Sequence, residues 1–399
     1  MNVLALRPRL TVPPAVDSRI ARIEVIEDMA AAEPHWRALE TGASLTTPYQ
    51  RYDFLKQWQR HVGAAAAVSP LIVVGFNEAG APLFLWPFGC RALGTWRVVE
   101  FLGGKHANFN MGVWRQEAAA AIGADDLNTV LAQLASRADL LRLINQPLTW
   151  AGSTNPFALL PQQRSPNQGF SGTLIPDFDG LLRARTVSAT RKKMRKKATA
   201  LAKFGAVSFN QPRNSDDVRR VLDVFFKQKS ARMRAIGVDD AFSPPPVRRF
   251  LEAAATERAA GREPPIELYA LSVGDIIVAT YGGIAGGGRF CAMFNSIIQD
   301  RYAAESPGEQ LLLRLVQHCC ERGLTSFDLG IGEATYKTLF CNDAEPLFDT
   351  YLPLNASGRL LATALAAAGA AKRAVKAHPG LWGLVRGARR LRARLSAAI

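Results

Sequence analysis

Ser306, Pro307 and Gly308 open the stretch whose residue types most clearly favour binding chemistry. A serine followed by a proline and then, three positions after the serine, by Glu309 predicts a capping box and a helix that begins at Pro307. A helix N-terminus presents backbone N–H groups and a positive dipole end, both of which suit a phosphate. The pattern therefore indicates either a structural helix cap or an anion-binding site in which Gly308 permits close approach.

A second candidate site lies about twenty residues further on, where Asp328 ends a predicted strand and is followed by Gly330 and Gly332. A carboxylate at that place either holds a turn or accepts a proton from an incoming amine. Tyr336 and Lys337 then begin a short predicted helix. They form either a solvated helix face or, for the Tyr336 phenol, a proton donor to a leaving thiolate, because the pKa of a phenol exceeds that of a thiol.

Two segments account for the net charge of +15. Residues 183–203 and 357–399 each contain nine Lys or Arg and no acid, which leaves the rest of the chain near neutral. Arg195 lies in the first segment, on a predicted basic helix at 191–197 that is either a solvated face or a phosphate-binding surface. No aromatic residues alternate with these charges, which argues against nucleic acid as a partner.

Composition excludes several classes of protein. The 399 residues are 48% hydrophobic and 21% charged, which is typical of globular chains and long enough for two domains. Five cysteines without a C-x-x-C pair and five scattered histidines predict neither a disulfide framework nor a metal site. No apolar run is long enough to span a membrane, and Arg7 and Arg9 follow the first apolar residues, the reverse of a signal peptide. We therefore predict a cytoplasmic protein.

The elements that position these residues repeat in the two halves. A helix, a hairpin at 71–88, a strand, a helix and a strand at 140–145 make up the first half. In the second half, three strands at 267–273, 276–285 and 289–298 precede a helix at 307–322 and a strand at 325–329. This order predicts an α+β fold in which the halves fold alike, not a doubly wound sheet.

The order of these elements and the composition of the segments between them predict five parts of the chain. We predict a flexible lead-in at 1–21, an N-terminal domain at 22–150, a Pro- and Gly-containing linker at 151–168, a C-terminal catalytic domain at 169–355 and a basic Ala- and Arg-rich tail at 356–399. The tail is expected to be dispensable for the fold. Its segment 381–395 is either disordered or an amphipathic helix in peripheral contact with a membrane.

These stretches together resemble the CelD/BcsL-type acetyltransferases, a group of the GNAT superfamily named for its association with cellulose biosynthesis and similar to the Fem-type aminoacyl transferases. The resemblance covers roughly residues 30–350. It is carried by Pro48-Tyr49-Gln50 with Trp58, the basic helix at 191–195, Ser306-Pro307-Gly308 with Leu311-Leu312, Phe327-Asp328-Leu329-Gly330, and Tyr336-Lys337.

The resemblance implies two tandem GNAT-like domains, each a mixed, mostly antiparallel sheet flanked by helices. It implies an acyltransferase that moves an acyl group from acyl-CoA, such as acetyl-CoA, to an amine or hydroxyl acceptor without a metal. A saccharide in exopolysaccharide or cell-envelope biosynthesis would be such an acceptor. The implied catalytic residues are Asp328, Tyr336 and Lys337, and the implied donor-binding residues are Asn295, Ser306, Gly308 and Arg195. Backbone N–H groups at 294–296 would stabilise the developing oxyanion.

The loop at 305–310 reads ESPGEQ and departs from the Q/R-x-x-G-x-G/A pattern of the superfamily. Two alternatives therefore stay open. A Fem-like, tRNA-dependent aminoacyl transferase would use the basic helix, and tRNA would then be the one nucleic-acid partner. A non-catalytic accessory protein of polysaccharide synthesis would use the tail at a membrane. Bound CoA, or tRNA binding with a steep salt dependence, separates these cases.

Overall fold

The computed structural model of the chain describes residues 19–41, 43–258, 262–332, 339–341, 343–378, 380, 381, 383 and 387. The strands are β1 Arg22–Ile26, β2 Ser44–Leu45, β3 Ser69–Phe76, β4 Pro82–Leu93, β5 Trp96–Phe101, β6 Val113–Arg115, β7 Leu140–Pro147, β8 Thr149–Trp150, β9 Ser153–Thr154, β10 Gln163–Thr173, β11 Val207–Asn210, β12 Glu267–Val273, β13 Ile276–Gly286, β14 Arg289–Ile297, β15 Ser326–Ile331 and β16 Asp343–Pro353.

The α-helices are α1 Met29–Leu39, α2 Tyr52–Trp58, α3 Gln116–Ala121, α4 Ala124–Ala132, α5 Phe178–Arg185, α6 Ser188–Ala202, α7 Ser215–Ile236, α8 Pro245–Thr256, α9 Pro307–Glu321 and α10 Gly358–Ala377. Short 3-10 turns cover Pro48–Gln50, Gly104–His106, Pro156–Leu159 and Ala303–Glu305, and a π-helical stretch, Gln59–Gly63, extends α2.

The mixed α+β fold is confirmed, and so is the repeated order of elements. Each half runs strand, helix, helix, three antiparallel strands, helix and a further strand. In the first half these are β1, α1, α2, β3, β4, β5, α4 and β7, and in the second half they are β11, α7, α8, β12, β13, β14, α9 and β15. In both halves the last strand pairs in parallel with the third strand of the meander, as β7 does with β5 and β15 with β14.

Both halves contribute to one continuous sheet, in which each half supplies a strand to the other. Within the described residues the order is β1-β3-β4-β5-β7-β16-β10-β15-β14-β13-β12-β11. Strand β10 follows the first half in sequence but pairs with β15, whereas β16 follows the second half but pairs with β7. The two exchanged strands pair with each other at the centre of the sheet. Residues 151–168, which the sequence predicts as a linker, contain β9 and the start of β10.

The apolar side chains form a core that crosses between the halves. Phe54 of α2 meets Phe250 of α8 with ring centroids 5.3 Å apart, and both belong to one buried cluster that includes the apolar stripe of α7. A second cluster packs α9 against β12–β15. Because the first core is shared, α8 is held against α2 of the first half, and α7 packs on α8 and on strands β12–β14.

The first part of the predicted tail is structured, which differs from the sequence expectation. Helix α10 packs on β10 and β16 and buries Leu361 and Ala362. A Cβ on Gly358 would lie 1.8 Å from the Asp139 carbonyl oxygen, so the helix begins in direct contact with the first half. The indole of Trp96 donates a hydrogen bond to the Ser357 carbonyl. The prediction of dispensability therefore conflicts with this packing. None of the described helices combines the length and the apolar character needed to cross a membrane.

Candidate functional site

The neighbouring strands β14 and β15 separate after a short paired stretch. Their parallel register joins Arg289–Cys291 to Ser326–Asp328, after which β14 continues to Ile297 along β13 alone. On the edge that faces β15, the Ala292 carbonyl accepts a hydrogen bond from the Asn108 amide of the first half, at 3.1 Å. The separation leaves an opening in the sheet, and helix α9 begins beyond the end of β14.

Helix α9 begins at Pro307 as predicted, but the predicted capping box does not form. Ser306 has φ 52° and ψ 57°, in the left-handed region, whereas a capping serine takes an extended conformation. Its hydroxyl instead receives a hydrogen bond from the Lys197 ammonium at 2.5 Å. The carboxylate of Glu309 lies 3.6 Å from the same ammonium. Among the described side chains, none therefore caps the first turn of α9, and Lys197 offsets the acid beside it.

The glycine at 308 sits where α9 crosses β14. A Cβ at this position would lie 2.4 Å from Cδ1 of Ile297, so the glycine allows the helix to approach the end of the strand. Pro307 has no N–H, and the N–H groups of Glu309 and Gln310 donate to the Ser306 carbonyl. The Gly308 N–H is thus the one left for an external acceptor in this turn.

A cavity of about 700 Å³ extends from this helix N-terminus. Its walls combine cations, hydroxyl groups and apolar side chains from four helices, two strands and the connection between α5 and α6. They include Arg185, Thr186, Val187, Thr190 and Met194 from the α5–α6 segment, Arg232 from α7, Tyr281 from β13, Asn295, Ser296 and Ile297 from β14, and Gly308, Glu309 and Leu312 from α9. Such a mixture suits an elongated ligand with both alkyl and anionic parts.

A smaller cavity of about 140 Å³ lies at the opening between β14 and β15. It shares Tyr281 and Asn295 with the larger cavity, so the two spaces adjoin at these side chains. Asn108 of the first half and Lys229 of α7 complete its wall. Gly330, with φ 69°, is needed here because a Cβ would lie 2.5 Å from the Asn108 amide nitrogen.

The structure brings three of the predicted site residues together and leaves others apart. Asn295 and Gly308 line the larger cavity, and Ser306 immediately precedes its helix. Arg195 is exposed on α6 and does not line either of these cavities. Tyr336 and Lys337 lie outside the described residues.

Asp328 is fully buried in an ion-pair network rather than at the cavity wall. One carboxylate oxygen accepts from Arg289 at 2.9 Å, and the other accepts from the Gly330 N–H at 2.9 Å. Arg289 also makes two bonds to Glu345 and lies over the Trp150 ring, 4.3 Å from its centroid. Burial raises the pKa of Asp328, and the guanidinium acts against this rise. The arrangement fixes the glycine turn that borders the opening.

Three cations at the cavities escaped the sequence analysis. Arg185 and Arg232 line the larger space and Lys229 the smaller one. Lys229 lies four residues after Phe225 and three after Phe226, so it continues the apolar stripe of α7. A lysine in line with a buried stripe is the signal that would have indicated it. Arg185 was counted within the basic segment, but its place at the cavity, as the last residue of α5, was not recognisable from sequence.

The first half contains a group of packed aromatic rings around Phe157. The Phe157 ring lies 5.1 Å from Trp86, 6.0 Å from Phe101 and 5.6 Å from Trp114, measured between centroids. All four rings are buried. The open strand pair and the two adjoining cavities described above lie in the second half.

Comparison with known proteins gives the class of the second half. Residues 188–338 match a family model described as an acetyltransferase (GNAT) domain, so the chain contains a domain of this type. No curated protein matches the chain.

The solved structures that resemble it share its fold at low identity. One is a conserved protein of unknown function from Bacteroides thetaiotaomicron, with 10% identity, a TM-score of 0.52, and coverage of 83% of this chain and 100% of that one. Another is the C-terminal domain of a putative lysylphosphatidylglycerol synthetase from Agrobacterium fabrum, with 13% identity, a TM-score of 0.51, and coverage of 85% and 96%. The structure of FemX has 10% identity, a TM-score of 0.51, and coverage of 77% of this chain and 97% of that one.

Proposed function

We propose that the protein is an acyltransferase that binds a CoA thioester in the larger cavity and transfers its acyl group to an amine or hydroxyl acceptor. The observation that carries this proposal is the opening between β14 and β15, which adjoins a cavity of about 700 Å³ at the uncapped start of α9. The acetyltransferase domain matched at 188–338 contains β14, β15 and α9, whereas α5 and the cavity residues Arg185, Thr186 and Val187 precede it.

The residues present fit such a donor. Arg185, Arg232 and the Gly308 N–H can bind phosphate oxygens, since helix N-termini and guanidinium groups both favour anions. Val187, Met194 and Leu312 provide an apolar wall for an alkyl arm. When bound, the donor supplies an activated acyl group at its thioester. Lys197 supports anion binding by offsetting Glu309.

Asn295 is suited to stabilise the oxyanion that develops during acyl transfer. Its carbonyl accepts a hydrogen bond from Lys229 at 3.4 Å, which directs this backbone unit away from β13 and toward the opening. The N–H and C=O of one strand residue point to the same side, so the Asn295 N–H faces the opening as well. A preorganised backbone donor at that place would stabilise the negative charge that develops in the transition state.

We further propose that Asp328 holds the Gly330 turn against Asn108, and that Tyr336 and Lys337 supply the proton transfers. A saccharide acceptor and a place among the CelD/BcsL-type acetyltransferases are the finer proposals, and they rest on the sequence resemblance.

A second candidate is tRNA-dependent aminoacyl transfer. One observation favours it: Lys192, Lys193, Arg195 and Lys196 are all exposed on α6, the helix whose other side lines the larger cavity. A polyanionic donor could bind this face while its 3′ end enters the cavity.

The test uses two matched variants of α6 in a calorimetric titration with CoA. Thr190 lines the cavity and Thr199 is exposed nine residues further on, which is the opposite side of the helix. Thr190→Trp should fill the cavity and weaken CoA binding by at least about tenfold. Thr199→Trp should bind like the parent. If the parent does not bind CoA at millimolar concentration but binds charged tRNA with a steep salt dependence, tRNA-dependent transfer replaces the proposal.

A further inference from the structure

Lys229 is a half-buried lysine placed at the reacting end of the proposed donor path. It continues the apolar stripe of α7, and its ammonium donates to the Asn295 carbonyl at 3.4 Å. Its ammonium also lies 5.6 Å from the centroid of the Phe242 ring. With Asn108 it lines the cavity of about 140 Å³ between β14 and β15. A lysine in such a position costs free energy of desolvation that a single carbonyl only partly offsets.

Among the described residues, no carboxylate forms an ion pair with Lys229. In the described part of the chain, no acidic residue lines the smaller cavity. Asp240, the acid that acts on Lys229 electrostatically, receives hydrogen bonds from the Ser230 hydroxyl and from the Phe242 N–H. Arg232, one turn along α7, adds a second cation. Burial lowers the pKa of Lys229, and Arg232 lowers it further.

We infer that Lys229 binds a carboxylate carried by one of the two substrates, next to the thioester carbonyl. This inference rests on the proposed function and names the chemical class of the group that enters the smaller cavity. A carboxylate is small enough for a space of about 140 Å³ and would give the ammonium the anionic partner that it lacks among the described side chains. The Asn108 side chain lines the same space and would border the bound group.

The carboxylate could belong to a dicarboxylic acyl chain or to an amino-acid acceptor. The first arm of the test therefore compares acetyl-CoA with succinyl-CoA by calorimetry, using the parent protein, Lys229→Met and Lys227→Met. Lys227 is exposed on the same helix, so its substitution removes one charge without altering the cavity. If the acyl chain carries the carboxylate, the parent should prefer succinyl-CoA by about ten- to hundredfold. Lys229→Met should lose that preference and Lys227→Met should keep it.

The second arm titrates the CoA-loaded proteins with the twenty standard amino acids and with tryptamine, tyramine and cadaverine, the amines that lack the carboxylate of tryptophan, tyrosine and lysine. If the acceptor carries the carboxylate, at least one amino acid should bind to the parent and to Lys227→Met, and should lose roughly tenfold or more in affinity on Lys229→Met. The three amines should show no such difference between the variants.

The inference is overturned if neither arm shows a preference for a carboxylate that depends on Lys229. This outcome includes the case in which succinyl-CoA is not preferred and no amino acid binds. CoA binding itself reports separately on the proposed function. If the parent protein binds CoA but its affinity does not depend on a carboxylate in either substrate, only the role of Lys229 is contradicted. A parent that does not bind CoA in either acylated form contradicts the donor proposal.

Discussion

The Lys197 ammonium on α6 donates a hydrogen bond to the Ser306 hydroxyl, 2.5 Å away, at the residue that precedes α9. This contact joins the basic helix to the N-terminus of the helix at the cavity. It also explains why a sequence that reads as a capping box leaves the first turn without a side-chain cap. The Ser306 hydroxyl is engaged from α6, and Glu309 faces the same ammonium rather than the Ser306 backbone.

Removal of Lys197 should weaken the binding of an anionic donor. Lys197→Ala leaves Glu309 uncompensated near the Gly308 N–H, and a charge at a helix terminus changes binding by about two- to fivefold. Calorimetric titration with CoA measures the effect. Lys196→Ala is the control, because Lys196 is exposed on the same helix. Equal losses in the two variants would show that only the overall charge of α6 matters.

Gly308 and Ile297 should be energetically coupled. Gly308→Ala places a Cβ against Cδ1 and Cγ1 of Ile297, at 2.4 and 2.8 Å, and should destabilise the fold by about 1–3 kcal/mol. In the double variant with Ile297→Ala the clash is gone, so the loss should be smaller than the sum of the single losses by about 1 kcal/mol or more. Denaturant unfolding of the four proteins measures this coupling. Strict additivity would mean that α9 shifts freely along β14.

Loss of the buried guanidinium should be costly at neutral pH and less costly in acid. Arg289→Met leaves Asp328 as a bare buried carboxylate and should lower the unfolding free energy by about 3–5 kcal/mol at pH 7. Burial raises the pKa of Asp328 in the folded state above its unfolded value, and the substitution strengthens this rise. The stability that depends on a protonated Asp328 is present at low pH and is lost as the pH rises through the folded-state pKa.

Urea unfolding of Arg289→Met at pH 7 and pH 5 therefore measures the predicted partial rescue by acid. Arg219→Met is the control, since Arg219 and its partner Glu252 are exposed. The unfolding free energy of that variant should remain close to that of the parent protein at both values of pH. An Arg289→Met protein that loses as much stability at pH 5 as at pH 7 would contradict the role assigned to Asp328.

Two adjacent leucines test whether α10 belongs to the folded unit. Leu361 is 8% exposed against the sheet, whereas Leu360 is 71% exposed. Leu361→Ala should cost about 2–3 kcal/mol of unfolding free energy, and Leu360→Ala should change it by less than about 0.5 kcal/mol. Thermal unfolding measured side by side, together with truncation after Leu354, checks this. An unchanged midpoint for Leu361→Ala and for the truncation would restore the sequence prediction of a dispensable tail.

Local patterns in the sequence were sufficient to predict most helices and strands. The apolar stripe of α7, the turn after β12 and the glycine after α9 are signals that act over a few residues, and the structure has the corresponding elements. The exchange of β10 and β16 was not predictable in this way, because each strand pairs with partners that lie far away in the chain. The ion-pair network of Arg289, Asp328 and Glu345 depends on that exchange, since Glu345 belongs to β16.

The candidate site, like the fold, was predictable from local sequence patterns only in part. Gly308 was indicated by its place at a helix start and Asn295 by the family resemblance, and both line the cavity. Arg195 was selected for its charge, but the side of a helix that faces a cavity is set by packing. Met194 and Leu201 are buried, and the cation in line with them is Lys197, three residues after Met194 and four before Leu201.

The most direct test of the central claim is a crystal structure of the protein with a thioether analogue of acetyl-CoA. We predict the pyrophosphate beside the Gly308 N–H, the pantetheine arm in the larger cavity along Met194 and Leu312, and the carbonyl carbon next to Asn295. An analogue bound in the first half, or at any place away from α9, would contradict the assignment of the cavity. Crystals that hold no analogue at millimolar concentration would contradict CoA as the donor.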